Sequence, residues 1–200
     1  MKTVKNVLKA VLIMSIPLTL VSFDLPKGWI IAGDSPKKYE MGIDKGSGQD
    51  GKNAATLKSI EQTITGFGTL MQECKADKYA GKRIKMSGSM KSSNVANWAG
   101  LWLRVDQAGS MEPLAFDNMQ DRPVKGTSGW TKYEIVLDVP SNASILAYGA
   151  LLSGTGQIWF DNITFEVVSD SVKSTSSISG KPDYIQDMPT NLDFEKGMNN

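Results

Sequence analysis

Hydrophobic positions along this chain alternate with polar ones far more often than they recur at helical spacing. The clearest run is Arg83-Ile84-Lys85-Met86-Ser87-Gly88-Ser89-Met90-Lys91. As an extended strand it places Ile84, Met86 and Met90 on one side and Arg83, Lys85 and Lys91 on the other. Trp130 to Val139 repeats the pattern, with Tyr133, Ile135, Leu137 and Val139 sharing a face, and Asn53 to Ile60 reads as a further strand. Ser144 to Leu152 contains the unbroken apolar run Ile145-Leu146-Ala147-Tyr148-Gly149-Ala150-Leu151-Leu152, which suits a central strand covered on both faces. Gln157 to Val168 follows, and the glycines of Ser153-Gly154-Thr155-Gly156 predict a tight hairpin between the two. The one helical candidate is Met71 to Tyr79, a turn or two before Gly81. Short strands separated by turn residues, with no long helical period, predict an all-β fold: an antiparallel β-sandwich or barrel.

Within that frame, Asn97-Trp98-Ala99-Gly100-Leu101-Trp102-Leu103-Arg104-Val105-Asp106 carries the most information. Alternation turns Leu101, Leu103 and Val105 one way, the apolar row a sandwich core requires, and turns Trp98, Trp102 and Arg104 the other. Two indoles and a guanidinium on one face make a stacking and hydrogen-bonding surface of the kind proteins offer to sugars. The alternative is that this second face is also covered, with the tryptophans packed under a loop or a second sheet. Trp29 and Tyr39 are candidates to extend the aromatic platform, or else core residues.

Composition narrows the chemistry. At 200 residues, 40% of them hydrophobic and 22% charged, the chain is one ordinary globular domain with a leader. The 22 basic and 21 acidic residues sum to +1 and are spread along the chain, so no basic field attracts nucleic acid. Histidine is absent, which removes the usual triads, histidine-ligated zinc and the commonest general base. Cys74 is alone, so no intramolecular disulfide or cysteine metal cluster forms. An enzyme built from this chain would run on carboxylates, lysine or tyrosine. Asp106, Glu112, Asp117, Asp121 and Asp138 are the raw material for a glycosidase pair about 5 to 9 Å apart, although no spacing selects a pair. Asp121-Arg122 reads equally as a structural ion pair.

Residues 1–23 combine Lys2, Lys5 and Lys9 with an apolar run from Ala10 to Val21, the outline of a signal peptide or N-terminal anchor. Leu20-Val21-Ser22-Phe23 lacks a small-x-small cleavage site, which keeps the anchor reading open. Export places the protein outside the cell or in the cell envelope, with membrane contact through this segment alone. The expected organisation is then a β-sandwich over 24–168, a serine-rich polar linker or loop over 169–190, and a final segment 191–200.

The runs Trp130-Thr131-Lys132-Tyr133 and Gly156-Gln157-Ile158-Trp159-Phe160-Asp161-Asn162 resemble the galactose-binding-like jelly-roll domains related to carbohydrate-binding modules. Bacteria append such domains to hydrolases and to some AraC-type regulators. The resemblance covers about Trp29 to Val168 and implies a jelly-roll sandwich more firmly than any particular ligand. No stretch of the chain offers two helices and a basic recognition face, so no DNA-binding function transfers. Members of the family commonly open with an Asn-x-x-Phe-Glu strand. Here that pattern stands at the C-terminal end, as Asn191-Leu192-Asp193-Phe194-Glu195, which implies either a permuted closing strand or the start of a further repeat.

The resemblance also implies one structural calcium ion. Asp161 matches a last-strand ligand position, Glu195 matches the opening-strand glutamate if the chain is permuted, and the loop from Asp44 to Gly51, with Asp50, would supply further oxygens. The competing reading makes that loop a solvated turn and Asp161 a backbone cap. Three functions follow: a non-catalytic module binding carbohydrate or another cell-envelope polymer through Trp98, Trp102 and Arg104; a structural or protein-interaction domain without small ligand; and a carboxylate-based glycoside hydrolase.

Overall fold

The computed structural model describes residues 23–178. Residues 1–22, expected as a leader or anchor, and the segment 191–200, with Glu195, lie outside the described residues. The strands are β1 (Ile30–Gly33), β2 (Tyr39–Asp44), β3 (Ala54–Ser59), β4 (Phe67–Lys75), β5 (Lys82–Asp106), β6 (Ala115–Asp117), β7 (Val124–Val139), β8 (Ile145–Ser153) and β9 (Gln157–Val168). Every pairing between them is antiparallel. The described residues hold no helix beyond a single 3-10 turn at Pro36–Lys38.

The long strand β5 organises the two layers. Its first half, Arg83 to Ser93, pairs with β9, and its second half, Trp98 to Asp106, pairs with β8. Between them Asn94 takes a left-handed φ of 52° and the register against β7 slips repeatedly from Met90 to Ala99. Such irregularities bend a strand and raise its twist, so one chain segment serves both sheets. The result is an antiparallel β-sandwich of jelly-roll type. One layer is β1-β4-β8-β5-β6 and the other β2-β3-β9-β5-β7.

The core lies between the layers and follows the alternation. Leu101, Leu103, Val105, Leu146, Ala150 and Leu152 from the first layer meet Leu57, Ile84, Met86, Ile135, Ile158 and Phe160 from the second, all buried. Burying each large apolar side chain contributes roughly 2 kcal/mol. Tyr39, at 6% exposure, belongs to this core, and Trp29 packs on its edge against Tyr148 and Phe160, with ring centroids 6.0 and 5.6 Å apart. Neither extends an aromatic platform.

Two expectations are corrected. Met71 to Tyr79 is no helix: Phe67 to Lys75 pairs residue for residue with β8, and only Ala76 to Ala80 forms a turn. Burial of Leu70 in the core and a complete ladder with β8 outweigh the local helical preference. The glycine turn Ser153 to Gly156 closes no hairpin either. β8 sits between β4 and β5 while β9 sits between β3 and β5, so the turn crosses from one layer to the other. Each of these strands is apolar on its inner side, and both inner sides are satisfied only with the core between them. β8 itself is buried along nearly its whole length, as its sequence predicts.

The serine-rich stretch after β9 is tied down at its start. Arg83 donates to the carbonyls of Asp170 and Val172 at 2.6 and 2.7 Å. Beyond them the amide of Thr175 donates to Val136 O and that of Ser177 to Phe116 O. Residues 169–178 therefore strap the ends of β5, β7 and β6 together.

Candidate functional site

Trp98, Trp102 and Arg104 share the outer face of the first layer, as alternation requires, and this face is not flat. Trp102 packs with Ala147 and Leu151 of β8 in an apolar cluster separate from the core, joined by half-buried Phe67, Met71, Trp98 and Phe116. These side chains line an open groove of 820 Å³. Its polar lining includes Asp34, Glu73, Arg104, Asp106, Asn118 and Ser153.

Each residue's placement follows from strand register. Trp98 stands in one row with Ser153 and Phe67; Trp102 stands in another with Gly149 and Met71; Arg104 is paired with Ala147 on one side and Phe116 on the other. Trp102 keeps only 8% of its surface exposed, because its indole crosses β8 and donates from Nε1 to Thr69 Oγ1, 2.8 Å away on β4. Trp98, half-buried, is the more open of the two indoles. Between them lies Gly100, where a Cβ would come within 2.9 Å of Asn118 O and 3.0 Å of Met119 Cβ. The missing side chain lets the 118–119 loop settle between the tryptophans.

Arg104 donates from Nε to Asp106 Oδ1 at 2.7 Å and from Nη2 to Met111 O at 3.0 Å. It thereby holds one end of the Gln107 to Ser110 loop, which forms a wall of the groove. Reading the sequence missed Phe67, Thr69, Met71 and Glu73, which β4 supplies to the groove. The alternation of Phe67, Thr69 and Met71 against Gly68, Leu70 and Gln72 is the signal for them. It was masked by treating the end of this strand as a helix.

Of the other acidic candidates only Asp106 lines the groove. Asp117, at 2% exposure, accepts from Arg122 Nη2 at 2.6 Å and from the Met119 amide at 2.8 Å, and Arg122 also pairs with Asp121 at 2.8 Å. Asp138 is bound to Arg83, Asp106 to Arg104, and Glu112 is exposed in the 107–113 loop. Four of the five acids considered for catalysis are thus ion-pair partners of arginine. Trp130 and Trp159 lie on the opposite layer, with Lys91 Nζ between them at 5.1 and 4.7 Å from their ring centroids.

The calcium set does not assemble among the described residues. Asp161 faces the 44–51 loop but accepts from the amides of Asn162 and Gln49, at 2.7 and 3.3 Å. Asp44 accepts from Trp159 Nε1 at 2.6 Å, and Asp50 is engaged by Lys52. The hydrogen bond from the Lys52 amide, followed by that from its side chain, holds the Asp50 carboxyl below its usual pKa. The described residues contain no group of three or more acidic, cysteine or histidine side chains placed to hold a cation, and Glu195 lies outside them.

Comparison with solved structures bears on the architecture. The CBM22-1 xylan-binding domain of Paenibacillus barcinonensis Xyn10C superposes with a TM-score of 0.51 at 14% identity, over 74% of this chain and 90% of that one. The CBM22-1-GH10 modules of Clostridium thermocellum xylanase 10B, complexed with xylohexaose, give 0.51 at 15%, over 71% of this chain and 26% of that one. The fold is the jelly roll of carbohydrate-binding modules. It recurs in the enzymatically active domain of the bacteriophage CBA120 tailspike protein 4, with a TM-score of 0.54 at 13% identity, over 71% of this chain and 20% of that one. At such identities the likeness carries the fold alone. No family model matches the chain. Over 171 residues, 85% of its length, it is 46% identical to the uncharacterized HTH-type transcriptional regulator YbfP of Bacillus subtilis (strain 168), and it spans 57% of that protein.

Proposed function

We propose that this domain binds a carbohydrate chain in the groove on its first layer, without turnover. The observation that carries this reading is an apolar cluster built around Trp98 and Trp102 on the outer, solvent-facing side of a sheet, apart from the core. A concave surface mixing indole faces with fixed polar groups suits sugar rings, whose C–H faces stack on aromatics while their hydroxyls take hydrogen bonds. Xylan binding in the P. barcinonensis module supports the reading by analogy of fold. Trp98 is the stacking platform, and Trp102 and Arg104 shape the groove around it.

The test is a glycan array followed by calorimetric titration of wild type and Trp98→Ala. The expected result is a ligand bound with modest affinity and at least a tenfold loss in the variant, the scale of about 1.4 kcal/mol. An array without ligand, or a Trp98→Ala protein binding undiminished, overturns it.

A second reading concerns context. The similarity to a longer HTH-type regulator favours a role as the ligand-sensing part of a transcription factor, whereas the leader-like residues before Asp24 favour an exported module. N-terminal sequencing of protein recovered from its host separates them. Met1 retained on a cytoplasmic protein fits the sensor, and loss of the residues before about Asp24 fits export.

A further inference from the structure

The groove's lining carries three carboxylates, Asp34, Glu73 and Asp106, against a single cation, Arg104. Two of its three nitrogens are already engaged. Its Nε lies 2.7 Å from Asp106 Oδ1, so its charge is neutralised within the wall, and its Nη2 is bound to Met111 O at 3.0 Å. Glu73 is exposed on β4, in register with Ala147 and, across it, with Arg104. Asp34 stands towards the other end, its Oδ1 accepting the Phe67 amide at 2.6 Å. A ligand filling the groove thus meets uncompensated negative charge towards both ends and no free positive charge between them.

We infer that the groove selects uncharged chains and rejects polyanionic ones, uronate-rich or phosphate-bridged polymers of the envelope included. This rests on the carbohydrate reading of the groove and narrows its ligand class. The physical reason is asymmetric. A neutral sugar gives hydroxyls to Asp34, Glu73 and Asp106 as donors and loses little solvation. An anionic substituent brought into a concave, partly apolar site sheds water without gaining a cation and faces like charges whose field the low-dielectric walls concentrate. Had Arg104 been free, its planar fork would have served a carboxylate or phosphate. Its two internal contacts make it a positioning residue for the groove wall instead.

The experiment titrates xylohexaose, cellohexaose and hexagalacturonate into the protein at about 10 mM and about 1 M NaCl, where the Debye length falls from about 30 Å to about 3 Å. Expected is a neutral hexamer bound at least tenfold more tightly than hexagalacturonate at low salt, with the gap shrinking severalfold at high salt. Glu73→Lys, at an exposed position of β4, should lower the neutral-to-anionic affinity ratio at low salt at least threefold, by strengthening hexagalacturonate binding. Hexagalacturonate bound as tightly as the neutral hexamers, or a preference indifferent to both salt and Glu73→Lys, overturns the inference while leaving the groove as a carbohydrate site. Failure of all three hexamers to bind removes the carbohydrate reading and this inference together.

Discussion

The indole N–H of Trp102 on β5 donates to the hydroxyl of Thr69 on β4, and the strand between them, β8, contributes Gly149 to the same row as Trp102. Neighbouring strands are about 4.8 Å apart, so the backbones of β4 and β5 lie about 9.5 Å apart and the indole reaches across β8 to make the bond. The Thr69 hydroxyl in turn donates to Ala150 O at 2.8 Å, which closes the chain of donors. Trp102→Ala removes both the packing and the bond and is expected to cost about 3 to 5 kcal/mol. Thr69→Val, which leaves a buried N–H without its acceptor, should cost about 1 to 2 kcal/mol. Trp98→Ala, at a more open indole, should cost about 1 kcal/mol or less. Urea titrations of the three variants check the order, and equal losses at Trp98 and Trp102 would contradict the division between platform and support.

Asp117 is the most deeply buried carboxylate in the ion pairs, and it organises the turn that leads from β6 to β7. Asp117→Ala is expected to destabilise by about 2 kcal/mol, less than for a wholly buried pair because Arg122 remains a third exposed. The change also frees the Met119 amide, whose residue holds a left-handed φ of 61° with its side chain fully buried. Denaturation should show the loss, and amide exchange at Met119 should quicken ahead of that in β8.

The strap after β9 gives a truncation test within the described residues. A chain ending at Val168 loses the contacts of Asp170 and Val172 to Arg83 and those of Thr175 and Ser177 to β7 and β6, whereas one ending at Ile178 keeps them. The shorter chain should be less stable by about 2 kcal/mol, the scale of a few exposed-to-half-buried hydrogen bonds. Identical melting of the two would show that the strap is passive.

Alkaline pH acts through Tyr39. Burial, followed by the nearby Asp34 charge, pushes its hydroxyl up to about 12. The folded state therefore keeps the proton more tightly than the unfolded chain does. The associated stability is present below pH 10 and is lost as pH rises through 12. Tyr39→Phe should flatten this part of the pH–stability curve, and an unchanged slope between pH 10 and 12 would assign the loss to other groups.

Much of the architecture was legible in the chain because strand alternation is a local property. The rows Ile84, Met86, Met90 and Ile135, Leu137, Val139 reach the core as written, and Trp98, Trp102 and Arg104 separate from Leu101, Leu103 and Val105 for the same reason. What alternation cannot convey is which strands pair. Only the tertiary structure decided that β8 and β9 lie in different layers and that β4 is a strand completing the groove with Phe67, Thr69, Met71 and Glu73. It likewise decided that Arg104 faces Asp106 and Met111 O before any ligand. Pairing depends on partners distant in sequence, whose burial and ladder hydrogen bonds outweigh the local preferences of a turn or a short helical period.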